Sequence, residues 1–398
     1  MTTTPEARPT TDVDLFGSEL ADDPYETYRA LRDAGPALYV PEHDFWLISR
    51  YADVRAAALD YETYSSAQGV ALLDDFNAAM RGSVLASDPP QHGRLRAVLA
   101  EQLSPRGVRA MREHIATAID AIVAGALEHG ELDGVTDLAQ RIPTTIVGDL
   151  IGVPIEGREN LLPGADAVFT SFGPFTPLLQ ERLPRFMAYL DWMTSVTNRE
   201  TLAPGSWGAA VLDAVDEGKI AEESAVPLLN AFLVAGMDTT SNGLAAMLRV
   251  FAEQPHVWAA LREDPSRAGA VFEETLRLES PVQGFFRVTT REVAVDGTVI
   301  PAGARVLLHF GAANRDERHY PDPDTFDVTR NPVDHLAFGY GNHGCGGQAV
   351  ARLEATSLVD SLLARVESFA LAGDPVRHHN PVVRGLAHLP VSVVLREG

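Results

Sequence analysis

The stretch Phe338-Gly339-Tyr340-Gly341-Asn342-His343-Gly344-Cys345-Gly346-Gly347 decides how this chain is read. It places the sequence's one cysteine just ahead of a helical pattern carrying Val350, Ala351, Leu353 and Leu358. A thiolate at a helix N-terminus is stabilised by the free N–H groups of the first turn and by the positive end of the dipole. Glycines on both sides let the backbone come close to a flat ligand and turn N–H groups toward the sulfur. Such hydrogen bonds keep a thiolate ionised and tune the potential of a metal it binds. Phe338 is placed to shield the sulfur from water, and His343 to reach a carboxylate at the ligand's edge. A Gly-rich turn around an inert cysteine is the plainer reading. The pattern F-G-x-G-x-H-x-C-x-G, however, fixes six positions. At about 5% per residue type, chance produces it on the order of once in tens of millions of starting sites.

Outward from that loop, the rest of the chain is ordinary for a globular enzyme. It has 398 residues, 45% of them hydrophobic and 22% charged. Its formal net charge of −23 opposes binding to nucleic acid and to anionic membranes. Lys219 is the sole lysine, so arginine carries nearly all the positive charge. One cysteine permits no internal disulfide and no multi-thiolate metal site, which fits a reducing cytoplasm. No run of about 18 apolar residues predicts a membrane span. Residues 1–20, rich in Thr, Pro and Asp, read as a flexible leader, and 21–398 as a single domain.

Periodicity makes the chain mainly α with a smaller β-rich lobe. A helix opens after Asp23-Pro24, and residues 37–49 alternate as a hairpin. Helical spacing covers 106–127, 134–151, 181–200, 221–253, 266–279 and 346–368. Strands are expected at 285–295, 298–300, 304–309 and 391–395. The glycine- and proline-broken stretches 62–87 and 172–179 read as loops over a site.

The cysteine loop resembles the haem-binding loop of the cytochrome P-450 family, and further elements of that family stand in the expected order. Glu274-Thr275-Leu276-Arg277 matches its E-x-x-R element; Glu26-Thr27-Tyr28-Arg29 matches too, but only the former stands some 70 residues before the cysteine. The pair should be buried and hold the segment from Asn314 to Arg330 behind the haem. Ala235-Gly236-Met237-Asp238-Thr239-Thr240 breaks helix propensity in mid-helix and matches the oxygen-activation signature. The resemblance implies haem b between this long central helix and the helix after the cysteine. Cys345 would be the axial iron ligand, with Phe338 and Gly347 beside it. His92, Arg96, Arg287 and His343 would hold the propionates, His92 and Arg96 from one helix face. Ala235 and Gly236 would leave room for dioxygen, Thr239 would bond the activated oxygen, and Asp238 would relay protons. The match runs from Asp23-Pro24-Tyr25 to Arg384-Gly385-Leu386, essentially the whole chain; the Gly346-Gly347 pair is unusual directly after the cysteine and implies a looser helix start.

The implied activity is monooxygenation. With no G-x-G-x-x-G opening a helix after a strand, electrons must come from outside, and the resemblance implies a ferredoxin. Arg94, Arg106, Arg109, Arg112 and Arg352 are candidates for its docking patch. The wording from Glu279 to Val293, with Phe169 and Phe172-Gly173-Pro174, looks like the bacterial subfamily that oxidises para-substituted benzoates. The substrate pocket would comprise Gln68, Leu72, Phe169, Phe172, Leu233, Val234, Val282 and Phe285. Where that subfamily grips a carboxylate, this chain offers Gln68, Asn230, Ala231 and Val234. A buried carboxylate without a cation or hydroxyl is costly. A planar para-substituted aromatic, neutral or only weakly anchored by Gln68 or Asn230 and hydroxylated or O-demethylated, is therefore expected, on a monomeric enzyme. The alternatives are a tailoring hydroxylase of a larger secondary metabolite and a non-catalytic haem sensor; a sensor has no need of Asp238-Thr239. A peroxide-driven enzyme would replace that pair.

Overall fold

The apolar spacing between Leu228 and Phe251 folds as one long helix, Ala225–Glu253, of 29 residues. The computed structural model describes residues 8–129 and 131–397. The central helix packs against Arg141–Ile151, Leu161–Thr170 and Ala268–Glu279, and touches Gln348–Leu363. Its N-terminal half supplies Leu228, Leu233 and Met237 to one apolar cluster. Its C-terminal half supplies Leu244, Leu248 and Phe251 to another. The polar run Asp238 to Asn242 lies where these two cores part.

Local chemistry explains where the flanking helices begin. Ser104 Oγ accepts from Gly107 N at 3.1 Å and starts Pro105–Ala126. Thr176 Oγ1 accepts from Leu179 N at 3.3 Å and starts Pro177–Val196, four residues before the expected 181. The expected 134–151 helix is two pieces, a π-helical turn Gly134–Ala139 and the α-helix Arg141–Ile151. The helix after the cysteine spans Gln348–Leu363 rather than 346–368, because Val366–Leu371 turns its β-branched and aromatic residues into a strand.

The expected hairpin is present, with Leu38–Val40 antiparallel to Phe45–Ile48. It extends into a five-stranded sheet through Arg305–His309, Gly284–Thr289 and Tyr64–Ser65. Phe45–Ile48 and Arg305–His309 pair in parallel; the other pairs are antiparallel. A second sheet joins Glu131–Asp133, Pro390–Leu395 and Val366–Leu371. The architecture is mainly helical with a smaller strand-rich lobe, as the periodicity predicts.

Of the expected leader, residues 1–7 lie outside the described residues, and the remainder is docked. Thr11 N donates to Tyr39 O at 3.0 Å, Tyr39 N donates to Pro9 O at 2.8 Å, and Leu15 is buried beside Phe45 and Phe286. The apolar anchors Leu15 and Phe16 explain the difference, since a threonine- and acid-rich segment needs few of them to bind a hydrophobic face. No helix among the described residues is long and apolar enough to cross a membrane.

Candidate functional site

The cysteine loop is built from two short 3₁₀ turns, Leu336–Phe338 and Gly341–His343. Gly339 and Gly341 both have φ of 67°, where a side chain is strained. A Cβ on Gly341 would also stand 2.5 Å from Ala58 O. Cys345 N donates to Phe338 O at 2.7 Å, which folds the loop back on itself. Gly347 caps the following helix, accepting from Val350 N at 2.9 Å and Ala351 N at 3.0 Å. Burial pushes the Cys345 thiol up, while backbone N–H groups of Gly347 and Gln348 and the Arg96 guanidinium pull it down. Phe338 lies beneath the Arg352 guanidinium, 4.7 Å from its ring centre. A Cβ on Gly347 would meet Cys345 Sγ only at 3.9 Å, an ordinary contact.

Beside this loop four cationic or basic side chains gather; Asp88, whose charge acts on Arg287 and His92, accepts instead from Ser65 Oγ, Ser66 N and Ala67 N. His92 and His343 stand with ring centres 4.4 Å apart, and neither Nε2 has a hydrogen-bond partner. Arg287, on Gly284–Thr289, is buried and donates to Phe286 O at 2.6 Å. Burial pulls its guanidinium down to about 10. Arg96 donates to Asn342 O at 3.2 Å. Burial and the charges of Arg287, His92 and Arg96 hold His343 far below its usual range, at about 2. Buried donors left unmatched are costly. A ligand bearing carboxylates next to a thiolate-bound metal satisfies them together, so the residues present fit haem b.

Across the fold, Ala235 and Thr239 share a helix face. Ala235 is exposed on a largely buried helix, and Thr239 Oγ1 donates to its carbonyl at 2.6 Å. A Cβ on Gly236 would meet Val147 at 3.2 Å. Its missing side chain admits the Arg141–Ile151 helix, because position 236 lies about 100° around the helix from 235. Asp238 is buried, and its Oδ2 has no partner among the described residues. Burial, then repulsion from Asp166, pushes its carboxyl up to about 7, against His378, Asn242 and Arg182. Asn242 Nδ2 donates to Asp238 O at 2.8 Å and Oδ1 at 3.4 Å.

Six of the eight expected pocket residues fall in one apolar cluster: Phe169, Phe172, Leu233, Val234, Val282 and Phe285. Phe172 stands 5.3 Å from Phe285 and 6.0 Å from Phe169, ring centre to ring centre. Leu72 goes elsewhere, into the small cluster of Leu15, Tyr28, Phe45 and Phe286. Its neighbours Val70 and Ala71 take the pocket-side cluster instead. Gln68 is exposed, and its backbone N donates to Ser65 Oγ at 3.1 Å. Asn230 Oδ1 is buried without a partner.

The sequence reading misses the acid whose charge acts on Asp238. Asp166 accepts from Arg182 Nη1 at 2.9 Å, His378 Nε2 at 2.7 Å and Asn380 Nδ2 at 3.0 Å, all on Oδ1. The available signal was a lone acid in the otherwise apolar helix Leu161–Thr170. Its partners come from distant segments and carry no motif.

The cytochrome P450 family profile matches residues 209–383. Cytochrome p450 CYP199A2 of Rhodopseudomonas palustris is 41% identical, over 96% of this chain and 93% of that one. The cytochrome P450 monooxygenase PikC of Streptomyces venezuelae is 34% identical, over 96% and 94%. Among solved structures, the epothilone D-bound cytochrome P450epoK superposes with a TM-score of 0.87 at 25% identity, covering 96% of this chain and 99% of that one.

Proposed function

The chain belongs to the cytochrome P450 family, an oxidoreductase family that binds haem b, and from that premise we propose that it oxygenates a neutral, para-substituted, single-ring aromatic. When bound, haem b supplies the iron that activates dioxygen for insertion of one oxygen atom into an organic substrate. Cys345 would hold that iron as a thiolate, and His92, Arg96, Arg287 and His343 would hold the propionates. Thr239 offers a hydroxyl one helix turn from the exposed Ala235. Asp238, with a carboxyl balanced at about 7, can hold and release a proton near neutrality. Phe169, Phe172 and Phe285 exclude water and orient a flat ring.

The observation that carries the substrate reading is the unpartnered Asn230 Oδ1 on the central helix, one turn before Val234. An amide can accept from a phenol or donate to an ether oxygen. It cannot neutralise a carboxylate. Arg182, the guanidinium on the neighbouring helix Pro177–Val196, is tied to Asp166, Thr170 and His379 O. The resemblance to the benzoate-oxidising subfamily thus extends to ring size and para geometry, not to the charged head group. Spectral titration of the haem protein with para-methoxybenzoate and with para-alkylphenols tests this. Phenols should give the larger high-spin conversion at lower concentration; tight conversion by the benzoate alone rejects the neutral-substrate reading.

Electrons come, in this reading, from a ferredoxin in the cytoplasm. Arg94, Arg106, Arg109 and Arg112 are exposed and make no ion pair among the described residues. Arg352 does not belong with them. It is bound to Glu273 at 2.5 and 3.0 Å and to Gln348 at 2.7 Å, and braces the cysteine loop through Phe338.

A further inference from the structure

Asp166 is a poor candidate for a merely structural acid. Three groups converge on its Oδ1: Arg182 from the helix Pro177–Val196, His378 from the strand Val376–His378, and Asn380 from the turn beyond that strand. Arg182 is further fixed by Thr170 Oγ1 at 2.6 Å and His379 O at 2.8 Å. The helix carrying Asp166 packs directly on the central helix, and its charge acts on Asp238. Outward, His378 and Asn380 line a cavity of about 240 Å³ that also touches Ser18, Thr176 and His379. The His378 side chain is 28% exposed, whereas that of Asp166 is 12% exposed. Solvent, imidazole, outer carboxylate and inner carboxylate therefore stand in order of increasing burial. The inner end has a free acceptor, Asp238 Oδ2, buried and unpartnered.

We propose that Asp166 and His378 are the outer leg of the proton path to Asp238, fed by water in the cavity at the end of the Val376–His378 strand. His378 Nε2 gives its proton to Asp166 Oδ1. Asp166 passes it to Asp238 Oδ2 through one bridging water, which takes one proton as it gives another. The His378 ring then turns outward, takes a proton from the cavity on the emptied nitrogen and turns back. Each pass moves one proton and leaves every group as it began. Arg182 keeps its charge throughout and orients Asp166; it is a positioning residue, like Asn380. Asn242 does the same for Asp238 from its own helix. Glu181 and Arg185, the remaining charges that act on Arg182, offset one another. The proposal rests on the reading of Asp238 as the proton donor.

The test uses haem-loaded protein and two readouts. The first is the infrared carboxyl band of Asp238, assigned by its loss in Asp238→Asn and followed against pH. Repulsion from Asp166 raises this group and His378 lowers it. Asp166→Asn should therefore move the midpoint down, and His378→Gln up, each by about one pH unit. The second is product formed per oxygen consumed, with its pH profile. Both variants should lose on the order of tenfold, with a larger solvent isotope effect, and Asp166→Glu should restore part of it. Midpoints that stay in place, or that move in the same direction, overturn the proposal. So do shifted midpoints with unchanged turnover and pH profile. If Asp166→Asn fails to take up haem, His378→Gln at the partly exposed strand end gives the same two readings alone. The infrared arm needs no substrate, so a wrong substrate assignment leaves it intact. Turnover unaffected by Asp238→Asn itself would instead reject the donor reading.

Discussion

Among the described residues Glu274 and Arg277 leave no buried polar atom unpartnered; beside Arg287, His92 and His343 each leave a ring nitrogen without a partner. Glu274 and Arg277 both have side chains with 0% exposure. Arg277 Nε and Nη2 donate to the two carboxylate oxygens at 2.7 and 2.9 Å. Its Nη1 reaches Asn314 O at 2.9 Å and Pro323 O at 2.7 Å. Arg330 Nε and Asp327 N close the remaining side of Glu274 at 3.0 and 3.1 Å. The result is the segment from Asn314 to Arg330 clamped to the helix Ala268–Glu279. By contrast, His92 Nε2 and His343 Nε2 are buried without a partner among the described residues, and Arg287 donates to the Phe286 carbonyl rather than to a carboxylate. A closed network spends its polar groups on the fold, whereas an open one keeps them for a ligand. Physical completeness therefore separates the structural motif from the binding motif, although both are buried and charged.

The largest effect should come from breaking the closed network. Glu274→Gln leaves Arg277 and Arg330 short of their carboxylate in a dry site. Removing one partner of a buried pair costs about 3–5 kcal/mol. Urea unfolding should show that loss in haem-free and haem-loaded protein alike. A loss confined to the haem-loaded form would mean that the network belongs to the site. The decoy offers the contrast: Arg29 pairs with Asp324 at 2.7 Å on the surface, where such pairs contribute about 0–1 kcal/mol.

How much of this was readable beforehand follows from how local each feature is. The cysteine loop, Glu274–Arg277 and the first hairpin each fit within a short window, so spacing alone marks them. The chain-distant contacts were invisible. His378 and Asp166 are 212 residues apart, and nothing in either neighbourhood points to the other. Glu131–Asp133 pairs with Pro390–Leu395 through strands too short to show a period. Segment identity does not fix the direction of a side chain; that Leu72 packs with Leu15 and Phe45, and that Gly236 backs onto Val147, is visible only in the structure. Asn230 was picked out by its position, and the structure adds that it lacks a partner.

Glu354 tests whether openness alone identifies a site. It sits on Gln348–Leu363, is fully buried, and its Oε2 has no partner, yet its neighbours Leu353, Ala355 and Leu358 belong to the apolar core. Burial alone pushes its carboxyl up to about 8. The fold thus favours the protonated acid. Stability on this account is fully present at or below the ordinary carboxyl value. It falls as pH rises, and the loss is complete once pH passes about 8. The slope is about 1.4 kcal/mol per pH unit. Glu354→Gln should match the parent near pH 4.5 and be more stable by about 3 kcal/mol at pH 7. Unfolding midpoints across that range measure it. A Gln variant that keeps the parent's slope would show that another group carries the pH dependence. Unchanged haem affinity would restrict the rule to orphans that cluster; lowered affinity would extend the site to this helix.

Arg287→Met should give the smallest change and the most telling sign. In the haem-free chain Arg287 is a buried cation with one carbonyl partner and a guanidinium pulled down by desolvation. Replacing a poorly compensated buried charge with an apolar side chain of similar length should stabilise that form by about 1 kcal/mol. In the haem-loaded chain the same change removes a charge-assisted bond to a propionate, which is about 1.5–3 kcal/mol. Haem should then leave on the order of tenfold to a hundredfold more readily, measured by transfer to an acceptor globin. Opposite signs in the two forms are what an open network requires, because its cation is stable only once the ligand completes it. A Met variant that destabilises both forms alike would place Arg287 with Glu274 among the structural groups, and the distinction between the two regions would fail at its clearest point.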